Sequence, residues 1–128
     1  AQLIRKNMDE VLQGFPSDLD FTGTDRHDYH VHAGAVSGRA DLVLTCNDPH
    51  DITTTPEAEP YEVIHPDEFF ILVTDSNPAC AIPIARRQIK YWSSKSNHQQ
   101  LDQALLKAGC PQFASRIREV LTQIAQLP

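Results

Sequence analysis

Apolar residues recur at helical spacing near both ends of the chain. Near the N-terminus, this period predicts a helix over residues 2–13 that ends at Gly14. Near the C-terminus, apolar positions three and four residues apart predict two helices on either side of Gly109. Ser96, followed three residues later by Gln99, matches a capping box and predicts the start of the first of these helices.

The segment between residues 28 and 46 has the pattern of a β-hairpin. Ser37-Gly38 separates residues 28–36 from residues 39–46, and glycine accepts the positive φ of a tight two-residue turn. In that register the apolar side chains fall on one face, because side chains alternate along strands. The sequence therefore predicts an antiparallel pair with one apolar and one polar face.

Three further segments have the composition of strands: residues 61–65, 68–74 and 79–84. The middle segment is continuously apolar, which is typical of a central strand, and Pro83 favours a sheet edge for the last. Residues 47–60 are acidic and rich in Thr and Pro, which predicts a long exposed loop. We expect a single α+β domain over residues 1–128, with an antiparallel sheet of four to five strands, an N-terminal helix and two C-terminal helices.

Length and cysteine content narrow the class of protein. A chain of 128 residues with 41% hydrophobic content has the size of one ordinary domain. It contains no apolar run of about 18 residues, so we expect no membrane partner. Cys46, Cys80 and Cys110 match no zinc or redox spacing, and three thiols without a pairing pattern indicate a reducing, cytoplasmic location.

Charge is distributed unevenly along the sequence. The formal net charge is −6, which opposes long-range attraction to nucleic acid. Residues 41–75 contain nine acidic residues and no Lys or Arg, whereas residues 86–118 contain seven basic residues and one acidic residue. Two interpretations remain open: the two segments attract each other within one fold, or they form a two-signed surface that meets a partner or a second copy.

The segment Asp28-Tyr29-His30-Val31-His32 carries the candidate metal ligands. In the predicted hairpin, His30 and His32 point to the polar face, about 7 Å apart, and Asp41 lies on the same face. Two imidazoles and a carboxylate suit a divalent metal, with Asp41 as ligand or general base and the metal acidifying a bound water. The competing interpretation is that this face is the ordinary solvent side of a sheet.

A second cluster mixes basic and aromatic side chains. Its members are Arg86, Arg87, Lys90, Tyr91, Trp92 and Lys95. Because Trp, Tyr and Arg dominate interface hot spots, the cluster predicts contact with a protein partner or a second copy. The alternative is that Ile89 and Trp92 fill the core while the bases remain in water. Nucleic-acid binding is a weaker alternative, because the basic residues are few and the net charge opposes it.

The sequence contains no Walker A motif, G-x-G-x-x-G, G-x-S-x-G or C-x-x-C pair. We therefore expect a small non-enzymatic binding module that recognises a protein partner or self-associates through the basic-aromatic cluster, with no catalytic residue and no cofactor. The alternatives are a small metal-dependent hydrolase or ligand-binding protein that uses His30, His32 and Asp41, and an accessory factor associated with nucleic acid.

Overall fold

The computed structural model describes residues 5–94 and 100–126. The chain divides into two compact units, Ala1–Ile64 and His65–Pro128. The first unit carries two strands, whereas all regular structure in the described part of the second unit is helical. The expectation that residues 1–128 form a single domain remains a prediction.

Short elements make up the first unit. In chain order they are a 3₁₀ turn at Arg26–Asp28, helix α1 at Tyr29–Ser37, strand β1 at Leu42–Leu44, helix α2 at Pro49–Ile52, a 3₁₀ turn at Pro56–Ala58 and strand β2 at Glu62–Ile64. The strands are parallel, with Val43 opposite Val63. Ala35, Val43, Ile52 and Tyr61 form the buried core of this unit, in which Ile52 is fully enclosed.

The predicted antiparallel sheet of four to five strands is wrong. The residues that the structure describes form one sheet of two parallel strands, β1 and β2. These strands lie within the predicted segments 39–46 and 61–65, so both segments are confirmed as containing strands. Their pairing joins segments that are distant in sequence, and α2 lies in the crossover that a parallel pair requires.

Residues 28–36, the first arm of the predicted hairpin, belong almost entirely to α1. The buried positions here include Asp28, His32 and Ala35, which are spaced four and three residues apart, as on one helix face. Two of these three residues are polar, so hydrophobicity alone does not mark the buried face of the helix. The apolar residues of the segment instead follow the alternating pattern that predicts a strand. The chain then turns at Arg39, which has a φ of 56°, so the predicted hairpin turn instead ends a helix.

The predicted N-terminal helix over residues 2–13 is wrong from Asn7 onward. Described helical residues end at Lys6, and residues 8–25 form neither helix nor strand. Met8 is 56% exposed and Val11 is 41% exposed, so the core does not cover the apolar face that the spacing predicts. A short helix without such packing is marginal in water.

The second unit consists of helices. They are α3 at Pro66–Ser76, a 3₁₀ turn at Pro78–Cys80, α4 at Ala81–Ser93, α5 at Leu101–Lys107 and α6 at Pro111–Gln126. The core packs Ala81 and Ala85 of α4 against Leu101 of α5 and against Ile117 and Val120 of α6.

The predicted strands over residues 68–74 and 79–84 are wrong, because both segments are helical or form a 3₁₀ turn. Pro66 opens α3, and the side chain of His65 accepts a hydrogen bond from the Asp67 backbone N–H, which are signals of a helix start. The apolar run is not covered on both sides, since Leu72 is 53% exposed. Pro83 lies in the first turn of α4, where an N–H has no partner within the helix.

The two C-terminal helices lie on either side of Gly109, as the apolar spacing predicts. Gly109 has a φ of 85°, a conformation that glycine adopts without steric cost. The predicted capping box of Ser96 and Gln99 lies outside the described residues.

A buried carboxylate joins the start of α3 to the start of α6. Asp67 is 5% exposed, and its two oxygens accept hydrogen bonds from the backbone N–H groups of Gln112 and Phe113 at 3.0 and 2.7 Å. These donors belong to the first turn of α6, where helical N–H groups lack partners within the helix. Asp67 therefore fixes the position of one helix end on another.

Within the described residues, no helix combines the length and the apolar character needed to cross a membrane.

We expect Asp67→Ala to destabilise the protein by about 2 kcal/mol, because two backbone donors of α6 lose a buried, charged acceptor. Urea unfolding followed by circular dichroism measures this free energy. Glu68→Ala is the matched control, since it removes an exposed carboxylate from the same turn of α3. Equal stability of the two variants would contradict the role assigned to Asp67.

Candidate metal centre

The structure does not bring the predicted ligands His30, His32 and Asp41 together. His30 and His32 lie on α1, where residues two apart point about 200° apart rather than to one side. His30 is exposed, and its Nδ1 lies 2.7 Å from the backbone oxygen of His27. Asp41 is also exposed. In the part of the chain that the structure describes, these three residues form no group of metal-ligand spacing.

His32 is held in a buried polar cluster. It is 3% exposed, and its Nδ1 lies 2.7 Å from the Tyr61 hydroxyl and 3.2 Å from Glu59 Oε2. The Tyr61 hydroxyl donates its hydrogen to Glu59 Oε2 at 3.0 Å. Nδ1 therefore carries the proton that His32 contributes here, since Tyr61 has no second hydrogen to donate. His32 thus ties α1 to the segment that leads into β2.

Burial dominates the chemistry of Tyr61. Its surroundings raise the pKa of the hydroxyl well above the usual value near 10, first because burial disfavours the phenolate and then because the hydroxyl donates to the Glu59 carboxylate. Aromatic rings complete the enclosure on the His32 side, where the Phe21 ring centroid lies 5.6 Å from that of the imidazole. This cluster therefore has a structural role, and it is not open to a ligand.

A different set of side chains in the first unit has metal-ligand spacing. One carboxylate oxygen from each of Asp25, Asp28 and Asp51 lies within 4.8 Å of the others. Asp28 is buried, at 7% exposure, whereas Asp25 and Asp51 are half-buried. Of the three oxygen donors, one is therefore buried and two are partly accessible to solvent.

Asp25 and Asp28 are positioned by the 3₁₀ turn at Arg26–Asp28. Asp25 caps this turn, because its Oδ1 accepts a hydrogen bond from the His27 backbone N–H at 2.9 Å. Asp25 directly precedes this turn and Asp28 is its last residue, and the two carboxylates lie close together. The local sequence Asp-x-x-Asp therefore supplies two of the three donors.

Asp51 reaches the cluster through backbone contacts between the segment before the 3₁₀ turn and α2. The Thr24 N–H donates to the His50 carbonyl at 2.9 Å, and the Thr24 hydroxyl donates to Asp51 Oδ1 at 3.0 Å. The approach is so close that a Cβ on Gly23 would lie 2.3 Å from the Asp51 carbonyl oxygen. Glycine is required at this position to bring the third carboxylate into place.

The carboxylates of the cluster are not paired with a basic side chain in the described part of the chain. The described residues contain no ion pair to Asp25, Asp28 or Asp51. The amide of Asn47, a neutral donor, lies 3.2 and 3.4 Å from the two oxygens of Asp28. Three carboxylates at this distance repel one another, and a buried carboxylate without a cation is unfavourable. A bound cation would remove both costs.

The donor set determines which cation fits. All three donors are carboxylate oxygens, which suit hard divalent ions such as Mg²⁺ and Mn²⁺ better than the softer metals that prefer His or Cys. The Thr24 hydroxyl orients Asp51, and the Asn47 amide orients Asp28, as outer partners commonly do in metal sites.

The basic-aromatic cluster lies on α4, in the second unit. Arg86, Arg87, Lys90 and Tyr91 are exposed, while Trp92 is half-buried against the core of this unit. Lys95 lies outside the described residues. The structure therefore packs Trp92 against the core, as the competing interpretation expects, but Ile89, which that interpretation also placed in the core, is 38% exposed. The three described basic side chains of the cluster lie in solvent.

Sequence analysis missed the grouping of Asp25, Asp28 and Asp51. The signal available was the Asp-x-x-Asp spacing followed by an acidic loop, but Asp51 lies 26 positions after Asp25. No local pattern connects them, because the contact is made through backbone groups of Thr24 and His50.

The raised pKa of Tyr61 predicts a loss of stability at alkaline pH. The folded state keeps the hydroxyl proton that the unfolded chain releases near pH 10, so the contribution of Tyr61 is present below about pH 10 and lost as the pH rises further. Urea unfolding at about pH 8 and about pH 10.5 measures this change. We expect Tyr61→Phe to have a smaller decrease between the two conditions than the wild-type protein.

Tyr91→Phe is the control, because it removes an exposed hydroxyl from the second unit and leaves Tyr61 in place. It should retain the wild-type decrease. The same decrease in all three proteins would show that another group causes the alkaline loss.

Comparison of the chain with protein-family models, with curated proteins and with solved structures gave no significant match.

Proposed function

We propose that the first unit binds a divalent cation through Asp25, Asp28 and Asp51 and uses it to hydrolyse a phosphoester. One observation carries the proposal: three carboxylate oxygens lie within 4.8 Å, and the most buried carboxylate, Asp28, has no cationic partner among residues 5–94 and 100–126. A divalent ion satisfies this arrangement, since it supplies the missing positive charge and takes oxygen ligands.

The substrate class follows from the small number of protein donors. Mg²⁺ prefers octahedral coordination and is commonly held by a few carboxylates together with waters and substrate phosphate oxygens. Asp25 and Asp51 are only half-buried, so coordination positions on their side remain open to water and substrate. A phosphoester oxygen is a hard oxygen ligand that can take these open positions on the cation.

The reaction needs no oxidant and no co-substrate other than water. A water oxygen forms a bond to phosphorus, the bond between phosphorus and the ester oxygen breaks, and one water proton is transferred to the departing alkoxide. A bound cation supplies acidification of the water and polarisation of the phosphoryl oxygen. Asp28 anchors the ion from the buried side, and Thr24 holds the Asp51 carboxylate at the rim.

This proposal keeps the metal-dependent hydrolase suggested by the sequence but changes its ligands. His32 already uses Nδ1 within the cluster of Tyr61 and Glu59, and His30 and Asp41 lie apart in exposed positions. The carboxylate cluster replaces them, because it alone in the described residues has three donors at metal-ligand spacing.

We expect Asp28→Asn to weaken Mn²⁺ binding by at least about tenfold, because the buried anionic donor is lost from the centre of the site. Titration followed by the Mn²⁺ paramagnetic resonance signal measures the affinity. Release of 4-nitrophenol from bis(4-nitrophenyl) phosphate in the presence of Mn²⁺ measures hydrolysis, which should decrease in parallel.

Two controls test whether an effect on Mn²⁺ binding is specific to this site. They show what happens when another acidic residue or a histidine is removed. Asp20→Asn removes an exposed carboxylate with the same change in charge, and His30→Ala removes an exposed imidazole. Both should bind Mn²⁺ as the wild-type protein does. Unchanged affinity in Asp28→Asn would overturn the cation site, whereas binding without hydrolysis would overturn the enzymatic part alone.

A second candidate function is self-association through the exposed face of α4. Arg86, Arg87 and Lys90 are exposed and make no ion pair within the described residues. Ile84 and Tyr91 on the same helix are 48% and 51% exposed. A second copy provides a complementary surface, because residues 41–75 contain nine acidic residues and no Lys or Arg.

For this candidate, we expect the double change Arg87→Glu with Lys90→Glu to weaken dimerisation by roughly tenfold at low salt, since two exposed attractive pairs become repulsive. Sedimentation equilibrium at low and high salt measures the dissociation constant. Arg5→Glu with Lys6→Glu is the matched control, because it reverses two exposed charges outside α4. A wild-type protein that is monomeric at all concentrations, or equal effects of both double changes, would overturn this candidate.

A further inference from the structure

A small pocket lies in the first unit and is lined by residues of α2, of the 3₁₀ turn at Pro56–Ala58 and of β2. Its volume is about 190 Å³, and its walls include Pro49, His50, Thr53, Pro56, Glu62 and Val63. Pockets for drug-sized ligands are larger, at about 300–1,000 Å³, whereas a cavity of about 150 Å³ in another protein holds benzene. The pocket therefore has room for one six-membered ring and small substituents.

The walls of the pocket suit an aromatic ring. Pro49, Pro56 and Val63 present apolar surface to it. Proline rings fix the backbone φ of their own residues, so these walls are in place before a ligand arrives. Tyr61 also lines the pocket, but its hydroxyl donates to Glu59 and has no second hydrogen for a ligand. Apolar contact is therefore the main interaction that the pocket offers.

Glu62 determines which end of a charged ligand enters the pocket. This residue is exposed on the pocket wall, and it makes no ion pair among the residues that the structure describes. An anionic group inside the pocket would lie close to this carboxylate and be repelled by it. A phosphoester therefore enters with its uncharged ring and keeps its phosphate outside.

Two threonine contacts connect the pocket to the carboxylate cluster. The Thr22 hydroxyl lies 3.1 Å from the hydroxyl of Thr53, which lines the pocket. The Thr24 hydroxyl donates to Asp51 Oδ1 at 3.0 Å. Residues two apart in a chain are separated by at most about 7 Å. The pocket wall and the third carboxylate therefore contact neighbouring positions of one segment.

We propose that the pocket binds the ring of an aryl phosphoester while the cation at Asp25, Asp28 and Asp51 holds its phosphate. This inference rests on the proposed function and specifies its substrate as an ester of phosphate with a phenol that has a single ring. The ring packs against Pro49 and Pro56. Water attacks phosphorus, the bond between phosphorus and the phenol oxygen breaks, and this oxygen takes up one water proton.

Phenol binding tests the pocket without a metal or a reaction. We expect phenol to shift the NMR signals of the Val63 methyl groups with saturation, and 9-phenanthrol, which has three fused rings, to leave them unchanged. The methyl signals of Leu44 should not move, because this residue lies on the neighbouring strand and does not line the pocket. A wild-type protein that binds neither compound, or both equally, would overturn the proposal.

Glu62→Trp fills the pocket from its exposed wall and leaves the three aspartates in place. We expect the KM for bis(4-nitrophenyl) phosphate to rise by at least about tenfold with little change in kcat, since the ring contact is lost from ground state and transition state alike. The Mn²⁺ affinity should remain that of the wild-type protein. Glu62→Gln removes the charge without filling the pocket, so it should not raise the KM.

Leu44→Trp is the matched control, because it places the same side chain at a 45% exposed position of the neighbouring strand. It should keep the wild-type KM. Mn²⁺-dependent hydrolysis with an unchanged KM in Glu62→Trp, or with an equal rise in Leu44→Trp, overturns the aryl pocket and leaves the proposed function intact. A wild-type protein that fails to bind Mn²⁺ or to hydrolyse the ester overturns both, even if phenol binds.

Discussion

The first unit depends on the close contact between the backbone at Gly23-Thr24 and the backbone of α2. The Thr24 N–H donates to the His50 carbonyl, and Gly23 leaves no room for a Cβ against the Asp51 carbonyl. This contact fixes the segment that precedes α1, although residues 8–25 contain no regular structure. The same contact brings Asp51 beside the two carboxylates of the neighbouring 3₁₀ turn. The fold of this segment and the candidate site therefore depend on the same backbone contact.

Buried polar groups determine how α1 sits in this unit. Asp28 and His32 occupy positions on its covered face, where apolar side chains are usual, and both have hydrogen-bonding partners. Satisfied buried polar groups specify one arrangement, because any shift leaves them unpaired at a high cost. The Tyr61 hydroxyl and the Glu59 carboxylate hold His32, while Asn47 holds Asp28. Asp28 differs from His32 in that its partner is neutral, which leaves its charge available to a cation.

The second unit contains two buried carboxylates in contrasting states. Asp67 has both oxygens bonded to backbone N–H groups of α6, so the protein itself supplies hydrogen-bond donors to both. Asp102 has one oxygen bonded to Arg118, whereas its other oxygen is buried without a partner in the described residues. The two carboxylates are therefore equally buried but differ in how completely the protein satisfies their oxygens.

The sequence by itself determined the helices on either side of Gly109, because their apolar stripes and the glycine between them are local signals. It also located β1 and β2, but not their pairing, since parallel strands are joined by contacts between distant segments. Only the tertiary structure decided that residues 28–36 and 68–74 are mainly helical. In the first, polar residues occupy buried positions. In the second, the helix-start signals at Pro66 compete with a run of strand-forming residues. The carboxylate cluster was likewise beyond the sequence, because a backbone contact across 26 positions has no local pattern.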